Sequence, residues 1–341
     1  MSKNKIYSPN KGKNFYSFKE ILNKIFFSFS KKRKIFHELL YLTFAIKIYH
    51  KISSKIIFYI MNKYGFEFFN ESKILRYLLF SGIRGMSLEN IFKIRNKHFQ
   101  KIIQFDDKIE DIEMKKSISQ LRKNGFSSIS NLIKFEENEI KDVNKYFRLQ
   151  KMYNGHDPMQ SDLKLINYKE IYSNNVDHEI FNKGYFSFDV RTSLGNHIIK
   201  NLFFNKKLKK LADLYCGFET EPYTISTMLN IKKEILHPVA EFHRDTDDFI
   251  SLGFFIYWSD TNRNNGSTCY KIGTHLVSDL ENTINQDKYI EVKAGTIVAG
   301  DWMGLHRGNQ KMEESERLIT MIRFGKKINQ SYMQTKSYYF F

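Results

Sequence analysis

The residue types best suited to chemistry in this chain lie in one short segment, Phe242-His243-Arg244-Asp245. On a β-strand, residues two apart point to the same face, so His243 and Asp245 can aim an imidazole and a carboxylate at one point. Arg244 then turns to the opposite face. No other histidine in the sequence is followed two positions later by an acidic residue. The segment therefore predicts part of a metal site.

A third ligand can come from His306, which lies 61 residues after Asp245 in Gly304-Leu305-His306-Arg307-Gly308. Two histidines and one carboxylate with open positions form the facial triad of non-haem iron(II) oxygenases. The open face lets the iron bind a chelating co-substrate together with O₂. The competing interpretation is structural, namely a histidine at a strand end that is hydrogen-bonded to a nearby acid.

Two arginines follow on one strand-like run, the segment 317–323. Arg317 lies eleven residues after His306. An arginine that faces the interior can form a bidentate pair with a carboxylate, which favours an anion-binding role for Arg317. An ordinary structural ion pair is the alternative. Arg323 lies on the same strand face and is either a rival for that role or a substrate contact.

The elements that must position these residues are predicted to be short strands with helices packed outside them. One helix is predicted over residues 205–215, with Leu208, Leu211 and Leu214 facing inward and Gly217 as its C-terminal cap. Strand-like runs separated by Gly, Asn and Asp turns are typical of β-sandwiches and barrels. They are predicted at 223–231, 250–258, 268–272, 289–292, 296–299 and 318–324.

Over roughly residues 118–325, the sequence resembles the phytanoyl-CoA dioxygenase (PhyH)-like branch of the iron(II)/2-oxoglutarate oxygenases. Besides the histidine and arginine motifs above, the resemblance rests on four segments: Leu121-Arg122-Lys123-Asn124-Gly125-Phe126, Asn264-Asn265-Gly266-Ser267-Thr268, Gly273-Thr274-His275 and Ala294-Gly295-Thr296-Ile297-Val298. The chain departs from the family at Ile272, where a proline is usual, and at Gly308, where some members have a serine that binds the co-substrate.

The resemblance implies a fold that is mainly β with flanking helices, built on a double-stranded β-helix (jelly roll, cupin-like) core. It implies that Fe(II) is held by the catalytic residues His243, Asp245 and His306. It assigns the far carboxylate of 2-oxoglutarate to Arg317, and it places Asn230 where a polar side chain often contacts this co-substrate. The implied enzyme is a 2-oxoglutarate-dependent dioxygenase, an oxidoreductase that uses O₂ and releases succinate and CO₂.

The substrate is predicted to be a small or carrier-linked organic molecule whose identity the sequence does not encode. Two alternatives stay open beside this hydroxylase. The jelly roll can be a non-catalytic binding protein that recognises a carbohydrate or a partner. The chain can also be a hydroxylase of a macromolecule, recruited by its basic N-terminal segment. The intact triad and Arg317 favour the small-molecule enzyme.

The net charge of +17 is spread unevenly along the chain. Residues 1–100 hold 20 Lys and Arg against 5 Asp and Glu, whereas the other 241 residues hold 34 against 32. This predicts a nearly neutral body with a basic, helical N-terminal extension that packs on it. Contact of residues 1–100 with an anionic membrane or a partner is an alternative. Nucleic acid is not favoured, because lysine-rich helices without a recognised motif are poor evidence for it.

Three segments are predicted: a basic N-terminal extension (1–110), a dioxygenase domain (111–325) and a C-terminal tail (326–341). The first boundary is placed at a mixed-charge stretch. Cys216 and Cys269 are the two cysteines, which excludes a disulfide scaffold and suits a reducing compartment. No stretch reads as a signal peptide or a membrane span, so a cytoplasmic location is predicted.

Overall fold

The computed structural model describes residues 55–60, 87–154, 165–172, 184–231, 241–245, 248–278, 286–308 and 315–325. The chain divides into two compact units, Met1–Met86 and Ser87–Phe341. In the first unit, residues 55–60 are helical. The rest of the predicted basic extension up to residue 86 lies outside the described residues, as does the predicted tail 326–341.

Helices of the second unit begin where a side chain accepts hydrogen bonds from backbone N–H groups that have no partner within the helix. Ser87 accepts from the N–H of Asn90, and Asp111 accepts from the N–H of Met114. Among the described residues, no helix combines the length and apolar composition needed to cross a bilayer. The described helices are α1 (Leu88–Ile103), α2 (Ile112–Asn124), α3 (Glu137–Arg148), α4 (Val190–Gly195), α5 (His197–Phe203) and α6 (Lys206–Cys216). Short 3-10 helices span Asp106–Lys108, Tyr168–Tyr172 and Thr274–Leu276.

The helix predicted over residues 205–215 is α6, and most of its predicted inward face is confirmed. The Asn205 side chain caps its first turn, and Gly217 ends it in the left-handed conformation, with φ at 73°. Leu208 and Leu211 are fully buried, but Leu214 is only half-buried. Ala212 and Tyr215 complete the inward face instead, because residues four apart lie one above the other on a helix.

Every predicted strand-like run overlaps a strand. The described strands are β1 (Phe126–Ser128), β2 (Lys151–Asn154), β3 (Leu165–Asn167), β4 (Tyr185–Phe188), β5 (Glu221–Ile231), β6 (Leu252–Tyr257), β7 (Thr268–Lys271), β8 (Asp287–Ile290), β9 (Thr296–Gly300), β10 (His306–Gly308) and β11 (Glu316–Gly325). The longest pair is β5 with β11, which run antiparallel along almost their whole length.

Two antiparallel sheets enclose the core. The large sheet has the order β1-β9-β6-β11-β5-β4-β2-β3, and the small sheet has the order β10-β7-β8. His243 extends the small sheet through a bridge to β10. Buried side chains from both sheets meet in one cluster. Its buried members are Met228, Phe255, Tyr257, Tyr270, Ile290, Val298, Trp302, Ile319 and Met321.

The chain alternates between the two sheets from β5 onward. It passes from β5 in the large sheet to the His243 bridge in the small one, returns to β6, and then forms β7 and β8 in the small sheet. It goes back to the large sheet as β9, crosses to β10, and ends in the large sheet as β11. This winding is that of a double-stranded β-helix, and it confirms the predicted fold class.

The helices flank the large sheet, and the N-terminal helix of this unit belongs with the β-rich body. Helix α6 contacts β6 and β11, while α4 contacts β5. Helix α1 carries Arg95, which is fully buried and pairs with Asp301. The predicted division at residue 110 therefore differs from the compact units, whose boundary precedes Ser87. The sequence predicted helical structure for the extension in general, and the tertiary contact of Arg95 shows which body α1 joins.

Candidate metal centre

Backbone hydrogen bonds bring the two predicted ligand segments side by side. The N–H of His243 donates to the carbonyl of His306 at 3.0 Å, and the reverse bond is also 3.0 Å long. The N–H of Asp245 donates to the carbonyl of Trp302 at 2.9 Å. The segment 243–245 thus runs antiparallel to the chain that enters β10. This pairing brings His306 close to Asp245, although 61 positions separate them in the sequence.

The three predicted ligands converge. His243, Asp245 and His306 each offer a ligand atom, and these atoms all lie within 4.8 Å of one another. Asp245 Oδ1 is 3.7 Å from Nε2 of His243, and Asp245 Oδ2 is 3.6 Å from Nε2 of His306. Two imidazole nitrogens and one carboxylate facing a common point form a donor set suited to a divalent transition metal.

Hydrogen bonds fix both imidazoles in the tautomer that a metal needs. Nδ1 of His243 donates to the carbonyl of Glu241 at 2.8 Å, and Nδ1 of His306 donates to the carbonyl of Gly304 at 2.9 Å. Because a carbonyl only accepts, the proton sits on Nδ1 and the Nε2 lone pair faces Asp245. Burial lowers the pKa of His306, which favours its neutral, ligating form. His243 is more exposed than His306, so the site opens to solvent on the His243 side.

Arg244 turns away from the ligands, as the strand pattern predicted, and anchors their segment. Its Nη1 donates to the carbonyls of Thr274 and Met303, both at 2.7 Å, and its Nη2 donates to that of Val277 at 3.1 Å. Its guanidinium lies over the ring of Phe92 in α1. Burial lowers the pKa of Arg244 to about 10, which still leaves it charged at neutral pH. Arg244 therefore ties the ligand segment to two loops and a helix.

The two arginines of β11 both face the interior but have different partners. Arg323 forms a hydrogen-bonded ion pair with Asp245 Oδ2. It therefore lies at the metal site and is not a rival for the role of Arg317. Arg317 donates to the carbonyl of Gly266. It also faces Asn230, its cross-strand neighbour on β5. With its amide oxygen toward Arg317, Asn230 accepts from Nε at 3.2 Å and from Nη2 at 2.6 Å.

Arg317 and Asn230 are both buried, with 5% and 4% exposure. Within the described part of the chain, no carboxylate lies at ion-pair distance from Arg317, whose partners are neutral oxygen atoms. A buried charge without a counter-charge is costly, which marks Arg317 as a candidate for binding an anion. Ile319 and Met321 lie on the same face of β11 between Arg317 and Arg323, and both are buried. An apolar surface thus separates the two guanidinium groups.

Sequence reasoning did not single out Trp302, which walls the metal site. Its ring lies 5.0 Å from the ring of His306 and stacks on Phe255 at 3.9 Å. A Cβ added at Gly253 would come within 2.3 Å of the Trp302 ring nitrogen, and one at Gly300 within 2.8 Å of its six-membered ring. These two glycines therefore make room for the indole. The sequence did offer a signal for it, because tryptophan is a rare residue type and Trp302 lies four positions before the ligand His306.

A second feature that sequence reasoning missed is the buried polar group behind His306. Asp301 accepts hydrogen bonds from Arg95, from the hydroxyl of Tyr215 at 2.5 Å and from the N–H of Met303 at 3.2 Å. Arg95 also donates to the carbonyl of Phe249. These bonds fix the turn from Asp301 that leads to His306. The available signal was an arginine on the apolar face of α1, four residues from Phe99.

Comparisons with known proteins give low-identity structural similarities. No family model and no curated protein sequence matches the chain, so the resemblance to the PhyH-like branch stays a prediction. The chain is similar to the crystal structure of SnoN, a non-haem α-ketoglutarate-dependent epimerase from nogalamycin biosynthesis, with 13% identity and a TM-score of 0.45 over 62% of this chain and 82% of that one.

Two further solved structures are similar at the same level. HygX from Streptomyces hygroscopicus, crystallised with nickel and 2-oxoglutarate, has 12% identity and a TM-score of 0.43 over 62% of this chain and 87% of that one. EctD from S. alaskensis, in its apo form, has 13% identity and a TM-score of 0.44 over 64% of this chain and 79% of that one.

Proposed function

We propose that this protein is a non-haem iron(II)- and 2-oxoglutarate-dependent dioxygenase that hydroxylates a small or carrier-linked organic substrate. The observation that carries the proposal is the convergence of His243, Asp245 and His306, with both Nε2 atoms facing the carboxylate. Arg317, buried in the same β-helix without a carboxylate partner among the described residues, supports an acidic co-substrate.

The donor set fits iron(II). His243, Asp245 and His306 would hold the ion and leave coordination positions open for a chelating co-substrate and O₂. Bound iron with 2-oxoglutarate supplies oxidative decarboxylation coupled to substrate oxidation, which releases succinate and CO₂. The carboxylate of Asp245 keeps one coordination position for the protein, which argues against a halogenase, since that chemistry needs this position for a halide.

The chain's own residues bind and shield the reactants. The guanidinium of Arg317 can pair with the far carboxylate of 2-oxoglutarate, and Asn230 holds that guanidinium in place from β5. The side chains of Ile319, Met321 and Trp302 are buried in the same interior and would help to shield bound reactants from water. Arg244 donates to the carbonyl of Met303, and Asp301 accepts from the N–H of Met303. These bonds hold the segment 243–245 against the turn that leads to His306.

Anaerobic titration of the native chain with Fe(II) and 2-oxoglutarate tests the proposal. The expected result is the visible metal-to-ligand charge-transfer absorption that a 2-oxoacid chelated to iron(II) produces. His243→Ala should abolish the absorption. His197→Ala, which removes an exposed histidine at the start of α5, is the matched control and should retain it.

Absence of the absorption in the native chain, or its survival in His243→Ala, contradicts the proposal. That outcome instead favours a non-catalytic jelly-roll binding protein. If the absorption is present, succinate release is then measured over lipids, sugars, amino acids and nucleotides. A substrate is identified when it raises succinate release above the uncoupled rate and gains one oxygen atom in mass.

The location in the cell and the role of the basic N-terminal segment are proposals as well. We propose a cytoplasmic protein. The contact of residues 1–100 with an anionic membrane or a partner, the alternative that their excess of Lys and Arg raises, is proposed for the part before Ser87, since α1 is buried in the second unit. Co-sedimentation of the full chain with vesicles that contain anionic lipid tests the membrane contact. Binding should fall as salt rises, because exposed charges are screened. Equal binding to neutral vesicles contradicts this proposal.

A further inference from the structure

Arg323 lies in direct contact with a metal ligand and is held there by its strand. Its guanidinium pairs with Oδ2 of Asp245, and only 7% of the residue is exposed. The pairing of β11 with β5 shifts register between Arg323 and Phe324. The extra residue at this shift is Tyr223 of β5, while β11 itself stays regular and pairs with β6 in unbroken register at Arg323 and Phe324. The contact with Asp245 is therefore made from a part of β11 that is paired on both sides.

The Trp302 indole packs close to Arg323 at a glycine of the neighbouring strand. Gly253 is the partner of Arg323 on this strand, β6. A Cβ at Gly253 would lie 3.6 Å from Cγ of Arg323 and much closer to the Trp302 indole. The glycine thus makes room for the indole, while its distance to Arg323 is that of an ordinary van der Waals contact.

Among the described residues, the pair of Asp245 and Arg323 carries no net charge before any ion binds. Both imidazoles must be neutral to bind metal, so Asp245 contributes one negative charge and Arg323 one positive charge. A divalent cation would add two positive charges beside a guanidinium that is largely shielded from water. Electrostatic repulsion is strong in such surroundings. A 2-oxo dicarboxylate brings one negative charge to the cation through its chelating end and a second to Arg317, so it offsets part of the charge that the cation adds.

We propose that Arg323 makes retention of the metal ion depend on the acidic co-substrate. This inference rests on the proposed function, since it assumes that the site takes a divalent cation together with a 2-oxoacid. Arg323 weakens binding of the cation alone by neutralising Asp245 and repelling the cation. Once the dicarboxylate is bound, the negative charge of its chelating end offsets part of this repulsion. Metal and co-substrate therefore strengthen each other's binding, and by linkage the effect is reciprocal.

The opposite role for Arg323 is simple support of the ligand. If Arg323 only orients Asp245, its removal should weaken metal binding, as loss of outer-shell partners commonly does. The two roles predict opposite signs for the same measurement. They also differ for lysine, which keeps the charge but not the planar fork of the guanidinium.

The test is calorimetric titration of the native chain with Co(II), a redox-stable substitute for iron(II), with and without 2-oxoglutarate. Arg323→Gln should bind Co(II) alone about 10-fold more tightly, within the range of outer-shell effects. The factor by which 2-oxoglutarate tightens Co(II) binding should fall about 5-fold or more, the lower end of typical coupling. Arg323→Lys should resemble the native chain in both quantities.

Arg148→Gln is the matched control, because it removes the same charge from an arginine that pairs with Glu316 and whose side chain is 56% exposed. It should change neither quantity. If Arg323→Gln binds Co(II) alone with unchanged or weaker affinity, or keeps the native coupling factor, the inference is overturned while the proposed function stands. If the native chain binds no Co(II) with or without 2-oxoglutarate, the proposed function fails and this inference fails with it.

Discussion

The two arginines at opposite ends of one face of β11 differ in how their charges are balanced. Arg323 pairs with the carboxylate of Asp245, whereas Arg317 is held by the neutral oxygens of Asn230 and Gly266. Both arginines are buried to a similar extent. The difference indicates that the charge of Arg323 has a resident counter-charge, while no carboxylate of the described residues compensates the charge of Arg317.

Arg95 is a third buried arginine and, like Arg323, it pairs with a carboxylate. The side chains of Arg95 and Asp301 are 1% and 2% exposed. Arg95→Met keeps much of the volume but leaves the Asp301 carboxylate buried without its cation. We expect the free energy of unfolding to fall by about 3–5 kcal/mol, the usual effect of breaking a buried pair from one side. Urea denaturation of the full chain measures it.

The surface pair of Arg148 with Glu316 is the control for Arg95→Met. Because the Arg148 side chain is 56% exposed, Arg148→Gln should lower stability by no more than about 1 kcal/mol. Equal losses in the two variants would contradict the distinction between buried and exposed ion pairs. They would also show that α1 is not fastened to the β-helix through Arg95.

The pair at the metal site can be broken from either side. In the metal-free protein, Asp245→Asn leaves the Arg323 charge buried beside a neutral amide, and we expect a loss of about 3 kcal/mol. The double variant Asp245→Asn with Arg323→Gln should recover about 1 kcal/mol or more of this loss, since contacting residues couple by such amounts. A double-variant cycle by chemical denaturation measures the coupling. Strictly additive losses would show that the two side chains do not interact.

Arg317→Met should behave differently, because no carboxylate among the described residues loses its partner. We expect the free energy of unfolding to stay within about 1 kcal/mol of native, since a lost hydrogen bond from Asn230 is offset by removal of a buried charge. Binding of 2-oxoglutarate to the Co(II) form should weaken about 100-fold, the loss of a charged bidentate contact of about 3 kcal/mol. A large loss of stability with unchanged affinity would make Arg317 a structural residue.

The sequence was sufficient to predict the parts of this site that depend on strand periodicity. His243 and Asp245 share a face because they are two residues apart, and Arg244 turns outward for the same reason. Each predicted strand also lies where a strand forms. What could not be predicted depends on contacts between distant segments. The partner of Arg323 follows from the path of the chain between the sheets, which brings the segment 243–245 to the end of β11 and has no local sequence pattern.

The buried helix contact was hidden for a related reason. Arg95 is a single charged residue on the inward face of α1, and its partner Asp301 lies more than two hundred residues away. Helical periodicity favours placing such a residue at the edge of the apolar face. A buried carboxylate and the carbonyl of Phe249 make the inward position favourable. The predicted boundary at residue 110 separated these partners, whereas the boundary before Ser87 keeps them in one unit.

The smallest effect is expected at Asn230, which positions Arg317 from the neighbouring strand. Asn230→Ala removes the amide oxygen that accepts from Nε and Nη2 of Arg317 but leaves the guanidinium charge in place. The loss of a neutral hydrogen-bond acceptor is about 1 kcal/mol, so 2-oxoglutarate binding to the Co(II) form should weaken about 5-fold. Binding of Co(II) alone should not change, because Asn230 lies at the Arg317 end of the interior. An effect as large as that of Arg317→Met would mean that Asn230 itself binds the co-substrate, as the sequence resemblance implies. The expected weakening of about 5-fold would instead mean that the anion binds Arg317 and that Asn230 acts by orienting the guanidinium.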